Sequence, residues 1–295
     1  MNWLIFSLAA ITLWSIAAII EKFIRLNHIK NALTFIILVL PVSFFPLSFL
    51  FLEPFRLQSA SQALIALSSG IFSLAAFYLY LKAVQNEEIT KSITAYAAQP
   101  LFVLFIAIFF LGESLSLREI AAFLVIMISI SIIGFKKTKE GFHFKKDIVL
   151  LLFSAFFFAV QAVLFKLIGL NFATLMILRE IPFFTIPAMM LLSKKVRYRA
   201  IADFRKIGKK RYSLMILSGI VGTLGVLFLY LGVQSGPVSL VSLIEGSQCI
   251  ITMAFATVLT FFYPDLIKED ISKKALIIKA ASIILMVSGV YLLVV

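Results

Sequence analysis

Apolar residues run along this chain in long unbroken blocks, not in the alternating pattern of half-buried strands or the narrow stripe of a soluble amphipathic helix. A helix crossing a hydrocarbon layer of about 30 Å needs about 20 apolar residues. Ten blocks approach that length: roughly 2 to 20, 32 to 52, 62 to 84, 89 to 111, 118 to 135, 147 to 169, 172 to 192, 211 to 234, 237 to 263 and 273 to 295. The loops between them are short, the longest running from Ser193 to Lys210. The pattern predicts an all-α integral membrane protein of ten transmembrane helices, with no room for a soluble catalytic domain. The first block has neither a basic start nor a small-residue cleavage site, and Trp14 and Ser15 interrupt it, so it reads as a first helix and not as a signal peptide.

Composition strengthens this reading. The 295 residues are 62% hydrophobic and 14% charged, with a mean hydropathy of +1.09, against about 25% charged residues in soluble domains. Thirty-one phenylalanines are too many for one core of this size and must partly face lipid. A single cysteine, Cys249, excludes an internal disulfide, and two histidines, His28 and His143, leave no metal-binding cluster. Neither a metal nor a cofactor is expected.

The net charge of +13 points to membrane topology and not to nucleic acid, because the basic residues sit in short loops. If the blocks alternate in direction, the side of the N-terminus holds Arg56, Arg118 and Lys166, and the opposite side holds 22 basic residues. Nine of these lie between Lys194 and Arg211, where they are expected to lie along an anionic leaflet. Since Lys and Arg concentrate on the cytoplasmic face, both termini are expected outside, in the cell membrane, with the basic loops cytoplasmic.

The chain also repeats itself at a spacing near 145 residues. Ser69-Gly70-Ile71 through Ala83-Val84-Gln85 aligns with Ser218-Gly219-Ile220 through Gly232-Val233-Gln234, which sets Gln99 against Gln248. Leu26-Asn27 meets Leu170-Asn171, and Pro41 and Pro46 have the spacing of Pro182 and Pro187. A repeat of five helices is odd, so the second copy crosses the membrane in the opposite sense. That is the 5+5 inverted-topology repeat of alternating-access carriers, expected here as 1–140 and 141–295.

Several motifs add a resemblance. Gln99-Pro100-Leu101-Phe102, Leu111-Gly112-Glu113-Ser114-Leu115, Trp14-Ser15 and Arg179, in this order along a duplicated ten-helix chain, resemble EamA-type members of the drug/metabolite transporter superfamily. The resemblance implies a solute carrier, often an exporter of amino acids, other metabolites or drugs. Two features depart from the pattern: Gln248-Cys249 stands where the first half has Gln99-Pro100, and Pro264 to Asp270 replaces the Leu-Gly-Glu ending.

Ionisable groups at membrane depth usually face a cavity or a partner. Arg179 and Glu180 lie about eight residues into the seventh block and Glu245 about eight into the ninth, ~12 Å below the outer end at 1.5 Å per residue. Gln161 falls at a similar depth. Two readings stand side by side. In one, Arg179 holds an anionic group of a substrate while Glu245 or Glu180 binds an amine or carries a proton; in the other, Arg179 and Glu245 form a structural ion pair. The first-half layer consists of Trp14, Ser15, Tyr96 and Gln99, with Gln248 as the second-half counterpart of Gln99. Gly219, Gly222 and Gly225, matched by Gly70, Ser73 and Ala76, read as close-packing faces.

The expected function is secondary transport of small organic metabolites such as amino acids, amines or drug-like solutes, by a monomer or homodimer, with protons as a possible coupling ion. Alternatives are a carrier of nucleotide sugars or other phosphorylated compounds, which would need more cations facing the cavity, a membrane-embedded enzyme, and a non-transporting scaffold. Glu87 and Glu88 are adjacent acids with no accompanying histidine, a weak basis for an enzyme. No ATP-binding motif is present.

Overall fold

Hydrocarbon offers a peptide group no hydrogen-bonding partner, so a chain this apolar must satisfy its backbone within each segment, as helices do. A computed structural model describes residues 2–27, 29, 31–83, 89–134, 146–262 and 270–294, with the side chains of 25–27, 89–97, 133–134 and 146–147 outside that description. Every regular element among the described residues is a helix. In order they are α1 (Asn2–Asn27), α2 (Ala32–Leu38), a 3-10 helix (Leu40–Phe51), α3 (Ala60–Ala83), α4 (Ile89–Leu111), α5 (Leu117–Gly134), α6 (Lys146–Leu167), α7 (Phe172–Met190), α8 (Lys194–Ile207), α9 (Lys209–Ser235), α10 (Val238–Gly246), α11 (Gln248–Phe262) and α12 (Lys273–Val294). Gln85, Glu87, Glu88, His143 and Pro264 lie outside the described residues.

Eight segments are long and apolar enough to cross a membrane among the described residues: Asn2–Ile24, Ala32–Phe51, Ala60–Ala83, Ile148–Leu167, Phe172–Met190, Lys209–Ser235, Val238–Phe262 and Lys273–Val294. Ala98–Leu111 is a shorter apolar run within α4. The fourth and fifth expected blocks are therefore not among the eight. Phe51, Phe110, Ile277, Ile284 and Val287 are exposed, as lipid-facing positions are.

The helices pair in a regular way. α1 packs on α9 and α3 on α6; α4 packs on α6 and α1 on α11; α5 packs on α12. Trp3, Leu4, Val290 and Leu293 share one cluster, so the start of α1 and the end of α12 meet at one end of the bundle. Glu113 closes that end by accepting from the backbone N–H of Val238 (2.7 Å) and the Ser239 hydroxyl (2.7 Å) at the start of α10. Lys166 Nζ donates to the Val233 and Gly236 carbonyls (both 2.9 Å), a cation at the C-terminal end of α9.

The segments Ala32–Phe51 and Phe172–Met190 carry the same local signals. Asn31 accepts from Thr34 N–H (3.0 Å) to cap α2, and Asn171 accepts from Thr174 N–H (3.1 Å) to cap α7. The equivalent of Asn171 is thus Asn31, not the Asn27 suggested by the Leu-Asn pair. Pro41 and Pro46 remove two donors from the first copy, which continues as a 3-10 helix; Pro182 and Pro187 sit within α7. The two copies are antiparallel neighbours: Phe49 contacts Phe172 (5.8 Å between ring centroids), Phe44 contacts Phe184 (5.0 Å), and Asn171 Nδ2 donates to the Pro54 carbonyl (2.8 Å).

Two glycines decide how closely the halves approach. A Cβ on Gly70 of α3 would strike the Arg179 carbonyl and lie 3.2 Å from Pro182 Cγ; one on Gly219 of α9 would lie 2.6 Å from Val42 Cγ2. Gly222 has nothing within 4 Å of its Cβ position. Gly70→Ala is therefore expected to destabilise the folded protein by about 1–3 kcal/mol through overpacking. Gly222→Ala should be neutral or stabilising by up to about 1 kcal/mol, since alanine favours a helix interior. Thermal unfolding of both variants in detergent checks the contrast; equal melting temperatures would show that α3 and α7 do not depend on this approach.

Candidate functional site

The middle of the bundle encloses a cavity of about 210 Å³. It is reached by Trp14 of α1, Gln99 of α4, Gln161 of α6, Arg179 and Glu180 of α7, Glu245 near the end of α10 and Gln248 at the start of α11. Seven of the nine residues singled out in the sequence thus share one space. Ser15 does not line it; its hydroxyl donates to the Gln248 carbonyl (3.4 Å) and accepts from Thr252 Oγ1 (3.0 Å), which ties α1 to α11. Tyr96 belongs to α4, but its side chain lies outside the described residues.

Arg179 is 4% exposed and Glu180 6%, and the two form an ion pair through Nη1 and Oε1. The expected alternative of an Arg179 to Glu245 pair is not what the structure contains. Consecutive helical residues do not face each other at their Cβ atoms, yet the arginine is long enough to fold its guanidinium back over its neighbour. Its Nη2 donates to Ser73 Oγ (2.7 Å), and its guanidinium lies 4.8 Å from the centre of the Phe183 ring. Ser43 of the 3-10 helix faces Glu180. The close approach at Gly70 places Ser73, one turn further along α3, within reach of Arg179. Ser73, read from the sequence as a packing position, is thus a ligand of the buried cation.

Glu245 stands at a break. The ninth sequence block is divided between Gly246 and Gln248, where Ser247 N–H bonds the Ile244 carbonyl (3.0 Å) and Ile250 N–H bonds the Ser247 carbonyl (2.9 Å). These three-residue closures overwind the helix locally. The cavity therefore meets the end of one short helix and the start of the next, the arrangement in which membrane carriers expose polar groups at depth. Gln99 lies against Glu245, but among the described residues Gln99 Nε2 and Glu245 Oε2 each lack a hydrogen-bond partner. Gln161 Oε1 and Arg179 Nε, both buried, also lack one among those residues.

The opposite wall is apolar and fixed. Trp14 Nε1 donates to the Gly222 carbonyl (3.0 Å), and a Cβ on Gly225 would come within 2.6 Å of its Cδ1. Two of the four α9 glycines thus seat the indole, Gly222 by its carbonyl and Gly225 by its lack of a side chain. Besides the expected helices, α2, the 3-10 helix, α3 and α9 contribute Phe35, Ser43, Ser73 and Thr223. The lining extends through Glu21, Phe35 and Tyr80, toward the end of the bundle where α1 and α3 finish.

Comparison with known proteins locates this architecture. The family model of EamA-like transporters matches residues 1–135. Residues 1–135 are thus similar to the EamA-like transporter family. The EamA-like region contains Trp14, Ser73, Gln99 and the Glu113 cap, so it supplies one wall of the cavity and the closure at one end. No curated protein matches the chain. Among solved structures, a crystal structure of a protein is similar in fold, with a TM-score of 0.69 and 13% identity over 98% of this chain and 94% of that chain. At that identity the likeness is one of fold alone.

The buried pair gives a direct test. Removing one partner of a buried ion pair costs about 3–5 kcal/mol because the other charge is left uncompensated, whereas replacing both by apolar groups costs far less. Arg179→Met and Glu180→Leu are each expected to lower stability more than the double variant does. A double-mutant cycle by unfolding in detergent measures the coupling, and purely additive losses would show that Glu180 does not neutralise Arg179.

Proposed function

We propose that this multi-pass membrane protein is a secondary transporter that moves small organic metabolites by alternating access, with the cavity as its substrate site. The observation that carries this reading is the set of four buried polar atoms without partners, Gln99 Nε2, Gln161 Oε1, Arg179 Nε and Glu245 Oε2, on four helices around one cavity. Orphaned polar atoms in hydrocarbon are costly, and a polar solute passing through the cavity would complete them. A non-transporting scaffold has no use for such a space. The match of a transporter family's model to residues 1–135 supports the same reading.

In this proposal α4 and α5 also cross the bilayer, giving ten transmembrane helices in two inverted five-helix repeats, 1–140 and 141–295. Its support is the pairing pattern: α1 with α9 mirrors α6 with α3, α4 with α6 mirrors α11 with α1, and α5 meets its own counterpart α12. Gly70 against α7 and Gly219 against the 3-10 helix obey the same exchange. The two termini lie outside a cell membrane, with α8 on the cytoplasmic face. There its exposed Tyr198, Ile201 and Phe204 enter the interface and its basic residues meet anionic headgroups. The cavity then opens to the cytoplasm, and the Glu113 and Lys166 contacts form the closed outer end.

A carrier of nucleotide sugars is less well supported. Arg179, the cation among the cavity-lining residues, is already bound by Glu180, and an apolar cavity of about 150 Å³ accommodates roughly one benzene, so 210 Å³ is small for a nucleotide sugar. An enzyme is less well supported, because the family whose model matches residues 1–135 is one of transporters.

Proteoliposomes test the proposal. The purified protein is expected to catalyse uptake of a small solute from a metabolite mixture, and Gln99→Leu or Gln161→Leu should slow that uptake while leaving the unfolding temperature nearly unchanged. Glu245 is the proposed proton carrier, so Glu245→Gln should abolish accumulation driven by a pH gradient while preserving exchange. Unchanged pH-driven accumulation in that variant would remove Glu245 from the coupling.

A further inference from the structure

Resting on the transport reading, the charges and free atoms of the cavity bear on what it carries. The positive charge of Arg179 is already matched within the protein. Its two terminal nitrogens bond Glu180 and Ser73, and Phe183 covers one face. It keeps Nε–H and a second N–H on each terminal nitrogen, but its charge is already matched, so a substrate carboxylate would have to compete with that of Glu180.

Acceptors are in the opposite condition. Glu245 is 6% exposed, forms no ion pair among the described residues, and keeps Oε2 without a partner. Gln161, 3% exposed, keeps Oε1 without one. An amide turned either way still presents one acceptor and one donor. Glu21 also lines the cavity but is engaged in contacts of its own. Excluding it, one guanidinium is matched by Glu180 and one further carboxyl, that of Glu245, stands without a cation.

A buried carboxylate lacking a counter-charge is among the least favourable groups in a low-dielectric interior. A cationic solute would offset it, and N–H donors on that cation would also satisfy Gln161. The walls suit the rest of such a molecule. Trp14, Phe77, Tyr80 and Phe158 line the cavity, and aromatic faces attract cations within about 6 Å. The volume of 210 Å³ sets the size at roughly one ring with a short polar arm.

We infer that the cavity selects a small primary or secondary amine in its ammonium form, with Glu245 as the counter-charge, Gln161 as the second acceptor and the aromatic walls around the apolar part. The Arg179 to Glu180 pair then serves to keep the arginine from recruiting anions.

The experiment uses the full chain in lipid nanodiscs and calorimetric titration with three probes of one shape: benzylammonium, benzyl alcohol and benzoate. Benzylammonium is expected to bind at least tenfold more tightly than the other two. Glu245→Gln should erase that preference, and Glu245→Asp, which retains the charge, should keep it. Gln161→Leu should weaken benzylammonium several-fold and serves as an independent reading where Glu245→Gln fails to fold. Glu180→Gln frees Arg179 and should raise benzoate affinity. The inference is overturned if benzoate binds best, if the three probes bind equally or not at all, or if a folded Glu245→Gln protein keeps the preference. Uptake of a metabolite mixture into proteoliposomes separates this from the transport reading. Transport of neutral or acidic solutes without a preference for benzylammonium removes the charge assignment alone, whereas absence of uptake for every solute removes transport itself.

Discussion

A guanidinium inside a hydrocarbon layer must be neutralised by the protein that carries it, and the arrangement around Arg179 follows from that requirement. An exposed charge at the middle of a membrane helix costs about 2.5–3.5 kcal/mol on insertion scales. Glu180 supplies the opposite charge, Ser73 a neutral acceptor and Phe183 a π face. Glu180 and Phe183 lie on α7 with Arg179, but Ser73 could not reach it if α3 stood further away, and the absence of a side chain at Gly70 permits the approach. The crossing that brings Ser73 to Arg179 also sets one wall of the cavity, because Ser73, Arg179, Glu180 and Phe183 all line it.

The second organising feature is interruption. The chain breaks its helical ladder at Pro41 and Pro46, which convert half a membrane segment to a 3-10 helix, and at Ser247, which separates α10 from α11. Both breaks lie where the chain borders the cavity, as Val42, Ser43, Glu245 and Gln248 all line it. In a bilayer irregular backbone is tolerated only where protein or a cavity covers it. The structure follows this rule, and the break places Glu245 at the end of a nine-residue helix that is buried along its whole length.

Much of this was legible in the sequence, because bilayer thickness converts apolar run length directly into helices. Eight of the ten blocks read from run length are spanning segments, and depth brought Gln161, Arg179, Glu180 and Glu245 together, while the motifs and the repeat added Trp14, Gln99 and Gln248. What stayed hidden depended on side-chain reach and on contacts between distant segments. The helical rule that adjacent residues diverge favoured Glu245 as the partner of Arg179, and only the conformation of a long side chain reverses it. Ser73 looked like a spacer because a small residue serves packing and hydrogen bonding equally well. Lys166 looked like a loop charge, whereas it closes the end of α9. Lys279 donates to Thr257 Oγ1 (2.7 Å) and the Asp270 carbonyl (3.0 Å), contacts that run length does not reveal. The break at Ser247 did carry a signal, since a Gly-Ser pair is a common site of helix distortion.

The Glu113 cap also bears on how the protein is made. Glu113 is synthesised more than a hundred residues before Val238 and Ser239, the groups it binds. Gly70 and Ser73 likewise precede their partner Arg179 by about a hundred residues. A chain cut short before α7 would therefore leave the Glu113 carboxylate and the Ser73 hydroxyl without these partners. The cavity likewise needs both stretches, since Trp14 and Gln99 line it from the earlier one and Arg179, Glu180 and Glu245 from the later one.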